Sequence, residues 1–188
     1  MRPRRPLLTG TEPEDPLGPE PVLAEGVVPG GIDAARYRQV LGHFVTGVTV
    51  VTTDDGSGAP AGLSVNSFTS VSLEPPLVAF CVATTSATWP RIRAVGTFCV
   101  NVLAHDQEDL ARGFATRGAD KFRGVGWRPA ESGAPVLAGA LAWLDCTVEA
   151  EHPAGDHVIV VGRVRETGVA RDVGPLVFYR GGYGRFQP

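Results

Sequence analysis

The chain has 188 residues, 43% of them hydrophobic and 20% charged, a balance that suits one globular domain and is too apolar for a wholly disordered chain. A net charge of −3 and a pI near 5.8 supply no global cationic field, so broad binding to nucleic acid or to an anionic membrane is excluded. Lys121 is the single lysine among 17 Lys+Arg, the rest being arginine, a bias that reflects base composition rather than an RNA-binding pattern.

Residues 1–31 carry Pro3, Pro6, Pro13, Pro16, Pro19, Pro21 and Pro29 among acidic and glycine residues. Proline at that density blocks helix and ladder hydrogen bonds alike, so a mobile arm is expected there and a folded domain over residues 32–188. The opening MRPRRPLLTG has basic residues with no apolar segment behind them, and no stretch approaches the ~20 apolar residues of a membrane span. Arg4-Arg5 is followed by Thr11, Glu12 and Glu14 where a twin-arginine signal needs apolar residues. The expected compartment is the cytoplasm.

Asp33 stands where an N-cap belongs, and Tyr37, Val40, Leu41 and Phe44 follow at helical spacing, which predicts a short amphipathic helix. Beyond Gly47 the pattern becomes VTVVTT, a turn cluster DDGSGAPAG, then LSVNSFTSVS: two β-segments joined by a glycine-rich hairpin loop. LVAFCVA (77–83) is a continuous apolar run between Pro75-Pro76 and Thr84-Thr85-Ser86, as a buried central strand requires. Helical stretches are expected from Thr88 to Val95 and from His105 to Thr116, with TFCVNVL (97–103) as a strand between them. LAWLDCTVEA, HVIVVGRVRE and PLVFYR complete the strands. Strands outnumber helices and do not alternate with them regularly, so an antiparallel barrel or sandwich with helices at its ends is predicted.

Cys81, Cys99 and Cys146 are odd in number, far apart and set in apolar runs, as buried reduced thiols are. They lack the close pairing that zinc needs. There is no phosphate-binding Walker loop, no H-E-x-x-H, no G-x-S-x-G and no EF-hand loop. Gly56, Gly58 and Gly62 are spaced G-x-G-x-x-x-G and lead into a strand, so they read as a hairpin turn rather than a dinucleotide fingerprint.

The unusual segment is LSVNSFTSVS, where Ser64, Asn66, Ser67, Thr69, Ser70 and Ser72 place short polar side chains on both faces. It is either a polar edge strand or a ledge on which short donors meet a flat heteroaromatic ring or a phosphate. Thr84, Thr85, Ser86 and Thr88 cap the next helix or share its amides with an anion. His157, after Gly155-Asp156 and at the start of HVIVVGRV, either points into a pocket or stands on the surface. Tyr183, between Gly182 and Gly184, either stacks on a ligand or packs as an ordinary aromatic.

Taken in order, FVTGVTVVTT, AGLSVNSFTSVSLEPPLVAFCV, TFCVNVLAHDQEDLARGFA, DKFRGVGW, PVLAGALAWLDCTV, GDHVIVVGRV and PLVFYRGGYG resemble the flavin reductase family with the FMN-binding split-barrel fold, across nearly all of residues 32–188. The resemblance implies a mainly β, six-stranded antiparallel split barrel with peripheral helices, usually a homodimer. Carried over by position, it places Pro60, Ala61, Gly62, Leu63, Ser64, Asn66 and Ser67 at the isoalloxazine edge. Cys81, Val82, Ala83, Ala87 and Thr88 would line the ribityl and phosphate end, and Gly113 and Phe114 would close the site.

Cys81 is then a packing residue, not a nucleophile, and the role of Lys121 and Phe122 in DKF stays open. His157 in GDH would orient the nicotinamide carboxamide or steady charge on the reduced flavin rather than perform acid-base catalysis, with Tyr183 as a second nicotinamide contact. The implied activity is NAD(P)H:flavin oxidoreduction, with FMN or FAD reduced by NADH or NADPH and passed to a separate flavin-dependent monooxygenase component. The alternatives are a flavoprotein that keeps its flavin and reduces another acceptor, and a non-catalytic flavin-binding split barrel. The sequence decides neither FMN against FAD nor NADH against NADPH.

Overall fold

The computed structural model describes residues 31–54, 56, 58–118 and 120–186, so the arm expected over residues 1–31 lies outside the described residues except for Gly31. Asp33 caps α1 (Ala34–Leu41), its carboxylate accepting from Ala35 N at 3.2 Å and Arg36 N at 3.4 Å. The strands are β1 (Thr46–Gly47), β2 (Thr49–Thr53), β3 (Ala61–Val65), β4 (Thr69–Leu73) and β5 (Pro76–Ala83), then β6 (Thr97–Val102), β7 (Trp127–Pro129) and β8 (Pro135–Leu137). The chain ends in β9 (Ala142–Ala154), β10 (His157–Val169), β11 (Leu176–Tyr179) and β12 (Gly182–Arg185). Two further helices, α2 (Trp89–Val95) and α3 (Glu108–Ala115), interrupt the strands. No helix among the described residues is long and apolar enough to cross a membrane.

Seven strands form one antiparallel sheet in the order β3-β2-β6-β9-β10-β5-β4. β3 and β4 are its opposite edges, yet only residues 66–68 separate them in the chain. A connection that short spans at most about 14 Å, so the sheet has to curl until its two edges meet. The result is a split barrel of the expected class, with seven strands in the main sheet rather than six. The extra strand arises in LSVNSFTSVS, which divides at Asn66 and crosses the opening instead of running on as one β-segment. Its polar residues occupy both faces because its two halves belong to different edges. The Ser67 hydroxyl donates to the Cys81 carbonyl at 3.2 Å and accepts from Cys81 N at 2.9 Å, which closes the seam locally.

The core is built from the inward faces of these strands. Phe80 meets Trp89 and Phe98 edge to face, at 6.0 and 5.5 Å, among the fully buried Val51, Val100 and Val160. The long β9–β10 hairpin shifts register at Val161/Gly162. There the Phe98 ring lies against Gly162 and leaves no room for a side chain.

Beside the barrel, β1, β11 and β12 form a small sheet, and β7 and β8 form a ribbon. Two buried polar side chains pin that ribbon. Asn101 donates to the Pro135 carbonyl at 3.2 Å and accepts from Leu137 N at 2.7 Å, while Asp145 accepts from Ser132 N and from its hydroxyl at 3.0 and 2.5 Å.

Candidate functional site

A cavity of about 430 Å³ opens along the seam of the barrel, within the range of small-molecule sites. One wall is Leu63, Ser64, Val65, Asn66 and Ser67, running from β3 across the opening, and the other is Cys81, Val82 and Ala83 at the end of β5. Thr85, Ser86, Ala87 and Thr88 continue from β5 toward α2, Phe114 and Arg117 come from the end of α3 and beyond it, and His157 stands at the start of β10. The fold therefore brings Leu63, Ser64, Asn66, Ser67, Cys81, Val82, Ala83, Ala87, Thr88, Phe114 and His157 together from four separate stretches of chain. Pro60, Ala61 and Gly62 line an adjoining cavity that shares Ala87, Thr88, Gly118 and Lys121 with the first.

Gly62 is required by its neighbour. The Phe114 ring lies so close over it that an added Cβ would stand 2.5 Å from Cε1 and 2.9 Å from Cδ1. Lys121, whose role the sequence left open, fastens the same junction. Its Nζ donates to the Gly62 carbonyl at 3.0 Å and to the Phe114 carbonyl at 2.8 Å, tying β3 to the end of α3 at the mouth of both cavities. Burial holds its ammonium below the ordinary lysine value.

His157 is oriented from two sides. Its Nδ1–H donates to the Asp156 carboxylate at 2.7 Å, which leaves Nε2 as the ring nitrogen for the cavity. The Asp156 carbonyl accepts from Thr84 N at 3.0 Å and from its hydroxyl at 3.1 Å, so the β9–β10 tip is tied to the exit of β5. The hydrogen bond from His157 and its charge hold the Asp156 carboxyl below the usual aspartate value. Thr88 is the N-cap residue of α2 without using its own side chain, and the Ser86 hydroxyl accepts from Thr88 N at 3.3 Å and Trp89 N at 3.2 Å instead. Arg117, which no motif announced, reaches the Thr85 hydroxyl at 3.4 Å.

Two expected positions lie elsewhere. Gly113 lines neither cavity; it is on α3 beside Phe114. Tyr183 packs against Phe178 with ring centroids 5.3 Å apart, beneath the Arg112 guanidinium at 4.8 Å, and lines a different cavity with Val45, Val177 and Tyr179. Within one chain it shares no cavity with His157 among the described residues. Cys99 and Cys146 are fully buried and burial raises both thiols, that of Cys146 to about 12, so neither supplies a nucleophile.

The lining suits a flavin. Partly buried Leu63 can meet a flat ring, short polar Ser64 and Asn66 can meet its heteroatom edge, and Thr85, Ser86 and Thr88 with Arg117 and Lys121 can hold a ribityl chain and phosphate, while the buried Val82 and Phe114 back the wall from the core.

Residues 41–187 match the family model described as flavin reductase like domain. The chain belongs to the flavin reductase family. It is 46% identical over 168 residues to the flavin-dependent monooxygenase reductase subunit HsaB of Rhodococcus jostii, covering 89% of this chain and 86% of that one. Among solved structures it is similar to nitrilotriacetate monooxygenase component B from Mycobacterium thermoresistibile, with a TM-score of 0.80 at 45% identity over 84% and 88% of the two chains. It is likewise similar to the Streptomyces globisporus NADH:FAD oxidoreductase SgcE6, solved with NAD and FAD fragments, with a TM-score of 0.78 at 43% identity over 83% and 94%. As a member of the flavin reductase family, the chain is an oxidoreductase that works with a flavin and a reduced nicotinamide.

Proposed function

We propose that residues 32–188 form an NAD(P)H:flavin oxidoreductase that reduces FMN or FAD at the seam cavity and releases it to a separate flavin-dependent monooxygenase. The observation that carries this is the convergence of the Ser64–Ser67 ledge, the end of β5 and His157 on one cavity. When bound there, the flavin accepts hydride from the reduced nicotinamide.

The protein's own work is positional. Leu63 meets the ring, backed by the buried Val82 and Phe114, while Ser64 and Asn66 set its edge. Thr85, Thr88, Arg117 and Lys121 hold the phosphate end. His157 presents Nε2 to the nicotinamide carboxamide, held in place by Asp156, so that the two rings stack at reacting distance. No acid, base or nucleophile is demanded of the chain, in keeping with the absence of such motifs.

Two further assignments accompany this one. α1 exposes the apolar side chains Tyr37, Val40 and Leu41, and Phe44 after it is 75% exposed; a second copy of the chain covers such a face economically, giving a homodimer. The compartment is the cytoplasm, consistent with three unpaired cysteines.

The deciding experiment is anaerobic oxidation of NADH and NADPH by the purified protein with and without FMN, FAD or riboflavin. Flavin-dependent turnover with flavin lost on dialysis is expected. Flavin retained through dialysis would indicate an enzyme that reduces another acceptor, and binding without turnover a non-catalytic split barrel.

A further inference from the structure

β5 passes into α2 through a turn over residues 83–86, closed by Ser86 N donating to the Ala83 carbonyl at 2.9 Å. Thr84 and Thr85 are its two corner residues, and their hydroxyls serve different neighbours. That of Thr85 accepts from Arg117 at 3.4 Å, on the side of the turn that lines the seam cavity. Thr84 lines neither cavity. Its hydroxyl donates to the Asp156 carbonyl at 3.1 Å, beside a bond of 3.0 Å from its amide to the same oxygen. Two donors on one carbonyl fix the peptide that joins Asp156 to His157. β5 and β10 pair only as far as Ala83 and His157, so Thr84 carries the hold one residue past the end of the ladder. The side chains of Asp156 and His157 are 93% and 46% exposed, so hydrogen bonds rather than burial set their direction. The far side of the turn is anchored: the Ser86 hydroxyl takes two amides at the start of α2, whose Trp89 and Ile92 are buried.

We propose that Thr84 is a positioning residue that links the two ligands: a flavin phosphate held beyond it fixes the turn, the turn fixes Asp156 and His157, and the reduced nicotinamide then binds more tightly. The inference rests on the flavin occupying the seam. A donor that meets His157 has to still an exposed hairpin tip, at a cost in conformational freedom. A tip already held through Thr84 has less of that freedom to lose. The sign separates this link from direct charge effects. Flavin phosphate and donor are both anions, and repulsion between them would weaken the donor's binding, not strengthen it.

The test compares FMN with riboflavin, which lacks the phosphate, in the wild type, in Thr84→Val, which removes the hydroxyl at nearly constant shape, and in Thr84→Ser, which keeps it. The KM for the better of NADH and NADPH is measured with each flavin saturating, and thermal melts confirm folding. In the wild type the KM with FMN is expected to be about fivefold lower than with riboflavin, the worth of one hydrogen bond. Thr84→Val is expected to bring the two values together, and Thr84→Ser to hold them apart. A merely structural role would raise both values in Thr84→Val and leave their ratio intact, and that result would overturn the proposal. Equal values for the two flavins in the wild type would also overturn it, with the flavin site itself unaffected. Failure of both flavins to bind would overturn it together with the seam site beneath it.

Discussion

Phe114 lies across Gly62 in van der Waals contact, with no space between them for even a methyl group. A helix from one part of the chain and an edge strand from another are thereby locked at the mouth of the cavity. Gly62→Ala has to push the ring or the strand aside, and the Val51 carbonyl 3.2 Å away blocks retreat on the other side. Overpacking of this kind costs about 1–3 kcal/mol. A lower melting temperature and weaker flavin binding are expected, with partial recovery in Gly62→Ala/Phe114→Leu; additive losses in that cycle would show that the two positions are not coupled.

His157→Ala removes the cavity-facing imidazole and leaves the ledge intact. Loss of one such hydrogen bond is worth about tenfold in kcat/KM for the reduced nicotinamide, and stopped-flow flavin reduction should show the loss in the nicotinamide-dependent step. Unchanged steady-state NADH oxidation would remove His157 from the mechanism.

Asp156 gives a pH signature at the same place. Its carboxyl lies below the ordinary 3.8 because His157 bonds to it, so the pairing is present above 3.8 and lost as pH falls through the lower folded value. In His157→Ala the carboxyl should return toward 3.8, a change that a carbon-detected carboxyl titration reads directly. An unmoved titration would show that His157 does not hold this carboxylate.

Lys121→Met deprives the Gly62 and Phe114 carbonyls of their shared donor. A loss of about 1 kcal/mol is expected, modest because the ammonium is half-exposed. Burial holds Lys121 below 10.5, so the unfolded chain binds more protons in the window under 10.5, and this group's contribution to stability rises with pH there. The advantage of the wild type over Lys121→Met in urea melts should widen with pH in that window and reach its full extent above 10.5. A difference that narrows would mean the ammonium is not desolvated.

Thiol chemistry separates Cys81 from its companions. Cys81 is half-buried in the wall of the seam, whereas Cys99 and Cys146 are fully buried with raised pKa. A disulfide reagent should titrate one thiol in the native protein and three after denaturation, and saturating flavin should slow the native reaction. Rapid reaction of all three thiols in the folded state would contradict the described core.

Much of this architecture was legible in the chain. Asp33 as a cap, the apolar run ending at Ala83 and the strand from Thr97 all announce themselves by spacing, because burial on one or both faces writes a period into the sequence. LSVNSFTSVS was the hardest segment. A period-two pattern cannot show that its halves lie at opposite edges of a sheet, which depends on strands more than eighty residues away. β7, β8 and β12 are too short to carry a period. Arg117 and Trp127 carry no local signal, since only the folded chain sets them beside a cavity, and Tyr183, near the nicotinamide only by family resemblance, packs within one chain under Arg112.

The seam has a consequence for how the protein comes into being. β3 and β4 are sequence neighbours that end up as the first and last strands of one sheet, so no partial assembly of strands contains the cavity. Its walls meet only when the whole curl has closed, a late event in a topology of distant pairings. A flavin can therefore recognise only the finished fold, and every bound molecule draws the population toward it by mass action. Free flavin above its dissociation constant therefore adds to the stability of the closed fold itself, before any turnover has occurred.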